Sequence, residues 1–223
     1  MKFSYMAGLI AADGHLEKYR PYVYVYTNNK RFRDDIVKNL QKFAKNKVTY
    51  KLRKRVFQIR VSDRKLYEKF KRLYHIKPGK KSHDITPPVH INRKEKMNFL
   101  IGFFDGDCSV FKEVQRYKRK TMMSIYEYPV IELQIKSKDF CIWSKELLET
   151  YGIHVSKVYG KNDVYWWRIK GAKNFRKFCR IIKFKHPLKL EKVRCLSKEF
   201  KNYFYCKKTG KVLFNPLLPS AHC

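Results

Sequence analysis

Two segments of the chain are apolar at almost every position and end on an aspartate. They run from Met6 to Gly14 and from Leu100 to Cys108, and both follow the order apolar, any, glycine, two apolar, any, small, aspartate. A helix that is apolar on all sides is buried, and the glycine in each segment lets another backbone approach closely. The pattern predicts two buried helices packed side by side, the first over residues 3–12, with Gly14 in the left-handed conformation that commonly ends a helix.

The chain repeats itself beyond these segments. Asp13 and Asp107 are 94 positions apart, whereas later matches keep an offset of 108. The later matching pairs are Phe32 with Phe140, Leu40 with Leu148, Lys65 with Lys173, Lys69 with Lys177, Arg72 with Arg180 and Lys81 with Lys189. The halves are therefore duplicates, and the difference in offset places 14 extra residues between Asp107 and Phe140, most naturally within the basic stretch 112–128. The predicted division is a first half, 1–91, a second half, 92–205, and a tail, 206–223.

Each half shows the order helix, two strands, helix, two strands, helix. In the first half the predicted elements after the opening helix are strands at 15–19 and 22–28, a helix at 32–43 and a strand pair within 48–62. Within that pair Val48, Tyr50, Leu52, Phe57, Ile59 and Val61 alternate with Thr49, Lys51, Arg53, Gln58, Arg60 and Ser62, which gives each strand one apolar and one polar side. The pattern predicts an α+β fold in which one αββαββα unit occurs twice with pseudo-twofold symmetry.

The polar sides of the predicted sheets carry groups that can contact nucleic acid. In the first half these are Lys51, Arg53, Gln58 and Arg60. In the second half they are Glu132, Gln134, Lys136, Lys157, Tyr159, Lys161, Trp166, Arg168 and Lys170. One interpretation is a solvated sheet face; the other is a sheet that packs its apolar side on helices and lays its polar side in the major groove of DNA.

Charge favours the second interpretation. The chain has 52 lysines and arginines against 19 aspartates and glutamates, a formal net charge of +33 on 223 residues, and such a surface binds polyanions. Because 44% of the residues are hydrophobic and the basic residues are interspersed among them, the chain can bury a core and is not a disordered basic tail.

The sequence gives no sign of a membrane or secreted protein. No apolar run approaches the roughly 20 residues that span a bilayer, and the N-terminus lacks the order of a signal peptide. We therefore expect an intracellular protein with no membrane partner. Its six cysteines show no CxxC or zinc spacing, so we expect reduced thiols.

The ends of the two motif segments carry the candidate chemistry. Two helices packed side by side would bring together their C-terminal carbonyls and the carboxylates of Asp13 and Asp107, a set of hard oxygen ligands suited to Mg²⁺. Without a cation the two carboxylates would repel each other. Alternatives are a surface turn at Asp13-Gly14 and a lone calcium-type loop at Asp105–Asp107, but neither explains the duplication.

The two segments resemble the LAGLIDADG motif of homing endonucleases and related intron maturases. The resemblance covers nearly the whole chain, since members with two motifs carry them about a hundred residues apart on one chain. It implies two antiparallel four-stranded sheets that form a DNA-binding saddle around the two motif helices. Ala11 departs from the consensus acidic residue, which Asp105 retains, and Cys108 replaces the final glycine.

The resemblance also implies roles for individual residues. Asp13 and Asp107 occupy the positions that bind the metals, with help from the main-chain carbonyls of Ala12 and Gly106. Lys81 and Lys189 are candidates for neutralising phosphate and orienting water. Members often carry a polar residue at the end of the second strand, where this chain has Asn28 and Ser137, although that alignment is loose by one residue.

The expected function is site-specific hydrolysis of one phosphodiester in each strand of a long asymmetric double-stranded DNA target. The expected cofactor is Mg²⁺ or Mn²⁺, with Ca²⁺ supporting binding without cleavage. One chain supplies both motifs, so a monomer is expected, and a free-standing intron-encoded enzyme fits better than an intein. The alternatives are an intron RNA maturase on the same fold, which need not keep both carboxylates, and a generic basic binding protein.

Overall fold

The computed structural model describes residues 1–79, 85–119, 122–200, 203–205 and 212–214. The first half contains α1 (Phe3–Asp13), β1 (Gly14–Leu16), β2 (Tyr22–Thr27), α2 (Lys30–Gln41), β3 (Thr49–Arg53), β4 (Val56–Ser62) and α3 (Arg64–Tyr74). The second half contains α4 (Arg93–Asp107), β5 (Cys108–Arg119), β6 (Met122–Ile135), α5 (Lys138–Glu149), β7 (Tyr159–Lys161), β8 (Val164–Lys170) and α6 (Ala172–Ile181). The predicted order of elements is confirmed in both halves.

Three further elements follow the second repeat. They are α7 (Pro187–Glu199) and the paired strands β9 (Tyr203–Tyr205) and β10 (Val212–Phe214). The predicted boundary between 91 and 92 lies directly before Asn92, which caps the N-terminus of α4. The boundary proposed between 205 and 206 separates the two strands of the β9–β10 pair.

Each half forms one antiparallel four-stranded sheet. The strand orders are β1-β2-β4-β3 and β5-β6-β8-β7, so the two sheets have the same topology and the predicted α+β duplication is confirmed. Alternate side chains of the strands are buried against the helices, Val23, Val25, Ile59 and Val61 in the first sheet and Ile131, Leu133, Trp167 and Ile169 in the second. We call the opposite side of each sheet, which carries the polar set, its outer face.

The extra residues of the second half lie where the sequence placed them. Strands β5 and β6 pair from Cys108–Leu133 to Arg119–Met122, whereas β1 and β2 pair over only three residues. Strand β8 pairs only with the Val130–Ile135 part of β6, so the remainder of β5–β6 is a two-stranded ribbon that continues beyond the sheet.

Two local predictions are wrong. Gly14 is extended, with φ −133 and ψ −170, and not left-handed. Glycine is required there for space, because a Cβ would lie 2.2 Å from the carbonyl oxygen of Tyr24. Tyr50 and Leu52 are predicted on the apolar side, but they are 49% and 61% exposed. They are exposed because β3 is an edge strand that the helices do not cover. The Arg33 guanidinium lies over the Tyr50 ring, 4.3 Å from its centroid.

The remaining expectations concern cysteines and membranes. Cys108, Cys141, Cys179 and Cys195 are free thiols, as expected, and Cys206 and Cys223 lie outside the described residues. Burial raises the pKa of the Cys108 thiol to about 12, so it is protonated at neutral pH. Among the helices in the described part of the chain, none has both the length and the apolar character to cross a membrane.

Candidate metal centre and nucleic-acid interface

The two motif helices, α1 and α4, are in backbone contact. A Cβ on Gly8 would lie 1.9 Å from the carbonyl oxygen of Phe99, and a Cβ on Gly102 would lie 2.0 Å from the carbonyl oxygen of Tyr5. Tyr5 and Phe99 are themselves 94 positions apart, so the contact is reciprocal. Only glycine permits this approach, and the approach fixes the two helix ends relative to each other.

Asp13 and Asp107 end the two helices at the same level. A Cβ on Gly106 would meet the Ala12 Cβ at 2.4 Å and Asp13 Oδ2 at 3.1 Å. The carboxylate of Asp13 therefore lies directly against the last turn of α4, which Asp107 ends. The predicted convergence of the two helix ends is present, although whether these groups bind metal stays a prediction.

Lys189, one of the two lysines predicted to neutralise phosphate, lies at the same helix end. Its ammonium group donates hydrogen bonds to the carbonyl oxygens of Phe104, at 2.7 Å, and Gly106, at 2.6 Å. Burial lowers the pKa of Lys189, while nearby acidic groups, Asp13 and Asp107 among them, act in the opposite direction. The ammonium thus satisfies carbonyls that the helix end would leave unpaired and balances part of the carboxylate charge.

Asp105 has a different role from the two terminal aspartates. It is 1% exposed, and its carboxylate accepts hydrogen bonds from the Tyr5 hydroxyl at 2.5 Å and from the backbone N–H groups of Lys185 and His186, both at 2.9 Å. Burial raises the pKa of the Asp105 carboxyl, and these hydrogen bonds offset that effect only in part. All of its oxygens are engaged inside the protein.

The donor set at the paired helix ends fits a hard divalent cation. Within the described residues, His, Cys, Asp and Glu side chains form no cluster of three or more. Mg²⁺ takes one or two carboxylates, keeps several waters and shares substrate phosphates, so two aspartates with helix-terminal carbonyls suffice. Zinc prefers nitrogen and sulfur ligands in a closed tetrahedron, which this end of the helices does not supply.

Three further residues are predicted to be catalytic, and their roles stay predictions. Lys81 lies outside the described residues. Asn28 is exposed beyond the end of β2. Ser137 caps α5, since its hydroxyl oxygen accepts from the Phe140 N–H at 3.3 Å and donates to the carbonyl of Ile85 at 2.7 Å. Its counterpart in the first half is Asn29, which caps α2 in the same way. Asn28 and Ser137 are therefore offset by one residue, as the loose alignment allowed, and their catalytic roles stay predictions.

The outer face of the first sheet combines cations with aromatic rings. Lys51, Arg53 and Arg60 are exposed there, and partial desolvation, followed by the charges of Arg53 and Arg60, lowers the pKa of Lys51. The sequence interpretation missed the rings on the neighbouring strands, which are His15, Tyr22, Tyr24 and Tyr26. The alternation of tyrosines in β2 was the signal, because every second residue of a strand faces the same side.

These rings form a continuous row. His15 stacks on Tyr24 with ring centroids 4.7 Å apart, Tyr24 stacks with Tyr26 at 6.4 Å, and the Tyr26 hydroxyl accepts a hydrogen bond from Gln58 at 3.1 Å. The predicted residue Gln58 is thus positioned by its neighbour on β2. A row of amphipathic rings flanked by arginine and lysine suits contact with sugars and phosphates.

The outer face of the second sheet carries acidic as well as basic groups. Arg168 forms an ion pair with Glu132 and lies 3.5 Å from a carboxylate oxygen of Glu113, which is 3.3 Å from Lys170. In the first sheet the residue across from Arg60 is Tyr24, and in the second sheet the residue across from Arg168 is Glu132. The halves therefore present different chemistry at equivalent positions.

The other predicted contacts of the second half lie on its open side. Gln134, Lys136, Lys157, Tyr159 and Lys161 are exposed, and Trp166 is half-buried. Tyr159 and Trp166 stack across β7 and β8 with centroids 5.9 Å apart. The indole and phenol rings give this end of the sheet an aromatic platform.

The fold and the site together define a duplicated α+β protein with two carboxylates at one shared helix end. A family model described as LAGLIDADG-like domain matches residues 1–74 and 94–183. The chain therefore belongs to the LAGLIDADG-like domain family, as the resemblance of its two motifs indicated.

Known proteins support the same placement. The chain is 24% identical over 206 residues to the homing endonuclease I-ApeI of Aeropyrum pernix. The match covers 85% of this chain and 84% of that protein. Solved structures with the same fold include a variant of I-DmoI in complex with its target DNA and manganese. The TM-score is 0.56 and the sequence identity is 17%, and the match covers 83% of this chain and 96% of that chain. Another is I-SmaMI bound to cleaved DNA, with a TM-score of 0.61, 13% identity and coverage of 90% and 89%.

Proposed function

We propose that this protein is a site-specific endonuclease that hydrolyses one phosphodiester in each strand of a long asymmetric DNA duplex. The observation that carries the proposal is the pairing of Asp13 and Asp107 at adjoining ends of two helices that only glycine allows to touch. A protein that merely bound nucleic acid would gain nothing from two acidic groups beside a polyanion. The related homing endonuclease I-ApeI is consistent with this activity.

The two outer faces supply the DNA contacts in this proposal. The first face presents exposed lysine and arginine, and the second presents exposed lysine beside the partly buried Arg168. Together the two sheets would form a saddle that tracks the duplex. Phosphate contacts set the position of the protein, and groups such as Arg60 and Gln58 read base edges. Because the outer faces differ between halves, the preferred target is asymmetric.

Divalent metal, Mg²⁺ or Mn²⁺, is proposed to activate water and stabilise the charge that develops on the scissile phosphate. Asp13 and Asp107 would hold it, with carbonyls of the preceding residues as candidate ligands. Lys189 lies against the carbonyl of Gly106 and would neutralise phosphate oxygens once DNA enters. Since one chain carries both halves of the site, the active species is proposed to be a monomer, encoded within an intron.

The test uses DNA that carries the intron insertion site, made by joining the sequences on either side of the intron with the whole intron removed. Mg²⁺ should allow cleavage, Ca²⁺ should allow binding alone, and removal of metal by EDTA should stop cleavage. Asp13→Asn and Asp107→Asn should each abolish cleavage while DNA binding is retained. The matched control is Asp163→Asn, an exposed aspartate at the β7–β8 turn, which should cleave normally; cleavage that persists in either motif variant would refute the catalytic assignment.

A further inference from the structure

The segment that leads into α7 is attached to α4 at two points. The Asp105 carboxylate accepts the N–H groups of Lys185 and His186, and the ammonium of Lys189 donates to the carbonyls of Phe104 and Gly106. A carboxylate at the start of a helix is also favoured by the helix dipole. We call this double attachment the α4–α7 clamp.

Tyr5 adds a third component from the other half of the protein. Its hydroxyl donates to Asp105, and burial together with the Asp105 carboxylate raises the pKa of Tyr5, so the hydroxyl keeps its proton. The His186 ring also packs on Phe32 of the first half, with centroids 4.7 Å apart. The start of α7 is therefore held against both halves near the shared helix end.

Within the described residues of the first half, the carboxylate attachment of this clamp has no equivalent, and Lys81, the counterpart of Lys189, lies outside those residues. The counterpart of Asp105 is Ala11, which has no polar side chain, and the counterpart of His186 is Pro78, which has no N–H to donate. Pro78 instead lies beside Leu16, where the Gly79 N–H donates to the Leu16 carbonyl at 2.8 Å. Ala11 borders a small cavity with Ile76 and Lys77, at the place where the second half is filled by the buried carboxylate.

We propose that Asp105 is a positioning residue, which holds Lys189 over the end of α4 and makes the two halves of the site unequal. The proposal rests on the proposed endonuclease function, because Lys189 is the group whose placement it controls. A displacement of about 1 Å at such a group can slow a reaction about a hundredfold. Loss of the clamp should therefore slow hydrolysis of one DNA strand more than the other.

The first experiment measures the rates of cleavage of the two strands of a supercoiled plasmid that carries the target. Asp105→Asn keeps the shape of the side chain but cannot accept all three hydrogen bonds, so it should slow one strand by about tenfold relative to the other and accumulate nicked circles. Tyr5→Phe should change the strand ratio in the same direction by less. Ile10→Val, a buried change in α1 outside the clamp, should leave the ratio unchanged; equal slowing of both strands by Asp105→Asn, or no slowing, overturns the proposal.

The second experiment needs neither metal nor DNA. An acylating reagent labels lysines, and mass spectrometry gives the rate at Lys189 relative to exposed Lys173. Asp105→Asn should raise that relative rate about threefold or more by opening the start of α7, and an unchanged rate in a folded variant overturns the clamp. If the wild-type protein cleaves no DNA but the labelling result holds, the endonuclease proposal fails and the positioning role stands.

Discussion

Replacing Gly102 or Gly8 with alanine tests the contact between the two motif helices. With no close neighbour, glycine to alanine inside a helix stabilises a protein by about 1 kcal/mol. Here the added Cβ would lie 2.0 Å from the Tyr5 carbonyl oxygen for Gly102→Ala and 1.9 Å from the Phe99 carbonyl oxygen for Gly8→Ala. Neither oxygen can rotate away, because each belongs to a helical backbone.

The expected result is a loss of stability. Overpacking of a well-filled interior costs about 1–3 kcal/mol, and a backbone clash belongs at the upper end of that range, so each variant should lower the free energy of unfolding by about 2 kcal/mol after the helix-propensity gain. Urea unfolding followed by circular dichroism gives this value. The propensity gain is calibrated by comparing Lys71→Ala with Lys71→Gly at an exposed position of α3.

The same variants should lose cleavage before they lose DNA binding. Separating the helices moves Asp13 away from Asp107, whereas the sheets remain intact. The sign of the stability change tests whether the two helices are in backbone contact. If Gly102→Ala is as stable as the wild-type protein or more stable, they are not in contact, and the two aspartates do not share a helix end.

Two further predictions concern pH and DNA recognition. Burial lowers the pKa of His186 to about 4 from its usual 6.5, so below pH 6.5 the unfolded chain binds a proton that the folded chain binds only near pH 4, and stability should fall across that window. His186→Gln should reduce the loss of stability between pH 7 and pH 5 by up to about 2 kcal/mol, measured by urea titrations. An equal loss in both proteins would contradict the prediction. Glu132→Gln should release Arg168 for phosphate contact, which should raise the affinity for non-specific DNA about threefold and steepen the salt dependence of binding by about one counterion. Fluorescence anisotropy over a salt series measures both the affinity and its salt dependence. Weaker binding by the variant would show that Glu132 itself reads the DNA.

The architecture could be predicted from the sequence because the motif glycines and the strand alternation are local patterns with strict physical meaning. The 94 and 108 offsets located both repeats and the inserted ribbon β5–β6. The approach of the two helices followed from Gly8 and Gly102, since a glycine on an otherwise apolar helix has few other uses. These features depend on neighbours in sequence and on one repeated unit.

The finer parts of the site depend on contacts between distant segments. Asp105 resembles a retained consensus residue, but its partners Lys185 and His186 lie 80 and 81 positions away. They bind Asp105 through backbone groups, which the residue types do not reveal. The ion pair between Arg168 and Glu132 needs the register of β6 against β8. Gly14 was assigned to the wrong cause because a close backbone approach and a left-handed turn select the same residue.

The hydrogen bond between Tyr5 and Asp105 also specifies which halves can pair. A symmetric dimer of two first halves would bury the Tyr5 hydroxyl opposite Ala11, with no acceptor, and a dimer of two second halves would bury Asp105 opposite Phe99, with no donor. The first arrangement leaves the Tyr5 hydroxyl unsatisfied in the interface, at a cost of about 1–3 kcal/mol. The second removes one of the three groups that donate hydrogen bonds to the Asp105 carboxylate. If the protein were divided between residues 91 and 92, this one bond would bias the fragments toward the mixed pair and away from self-association.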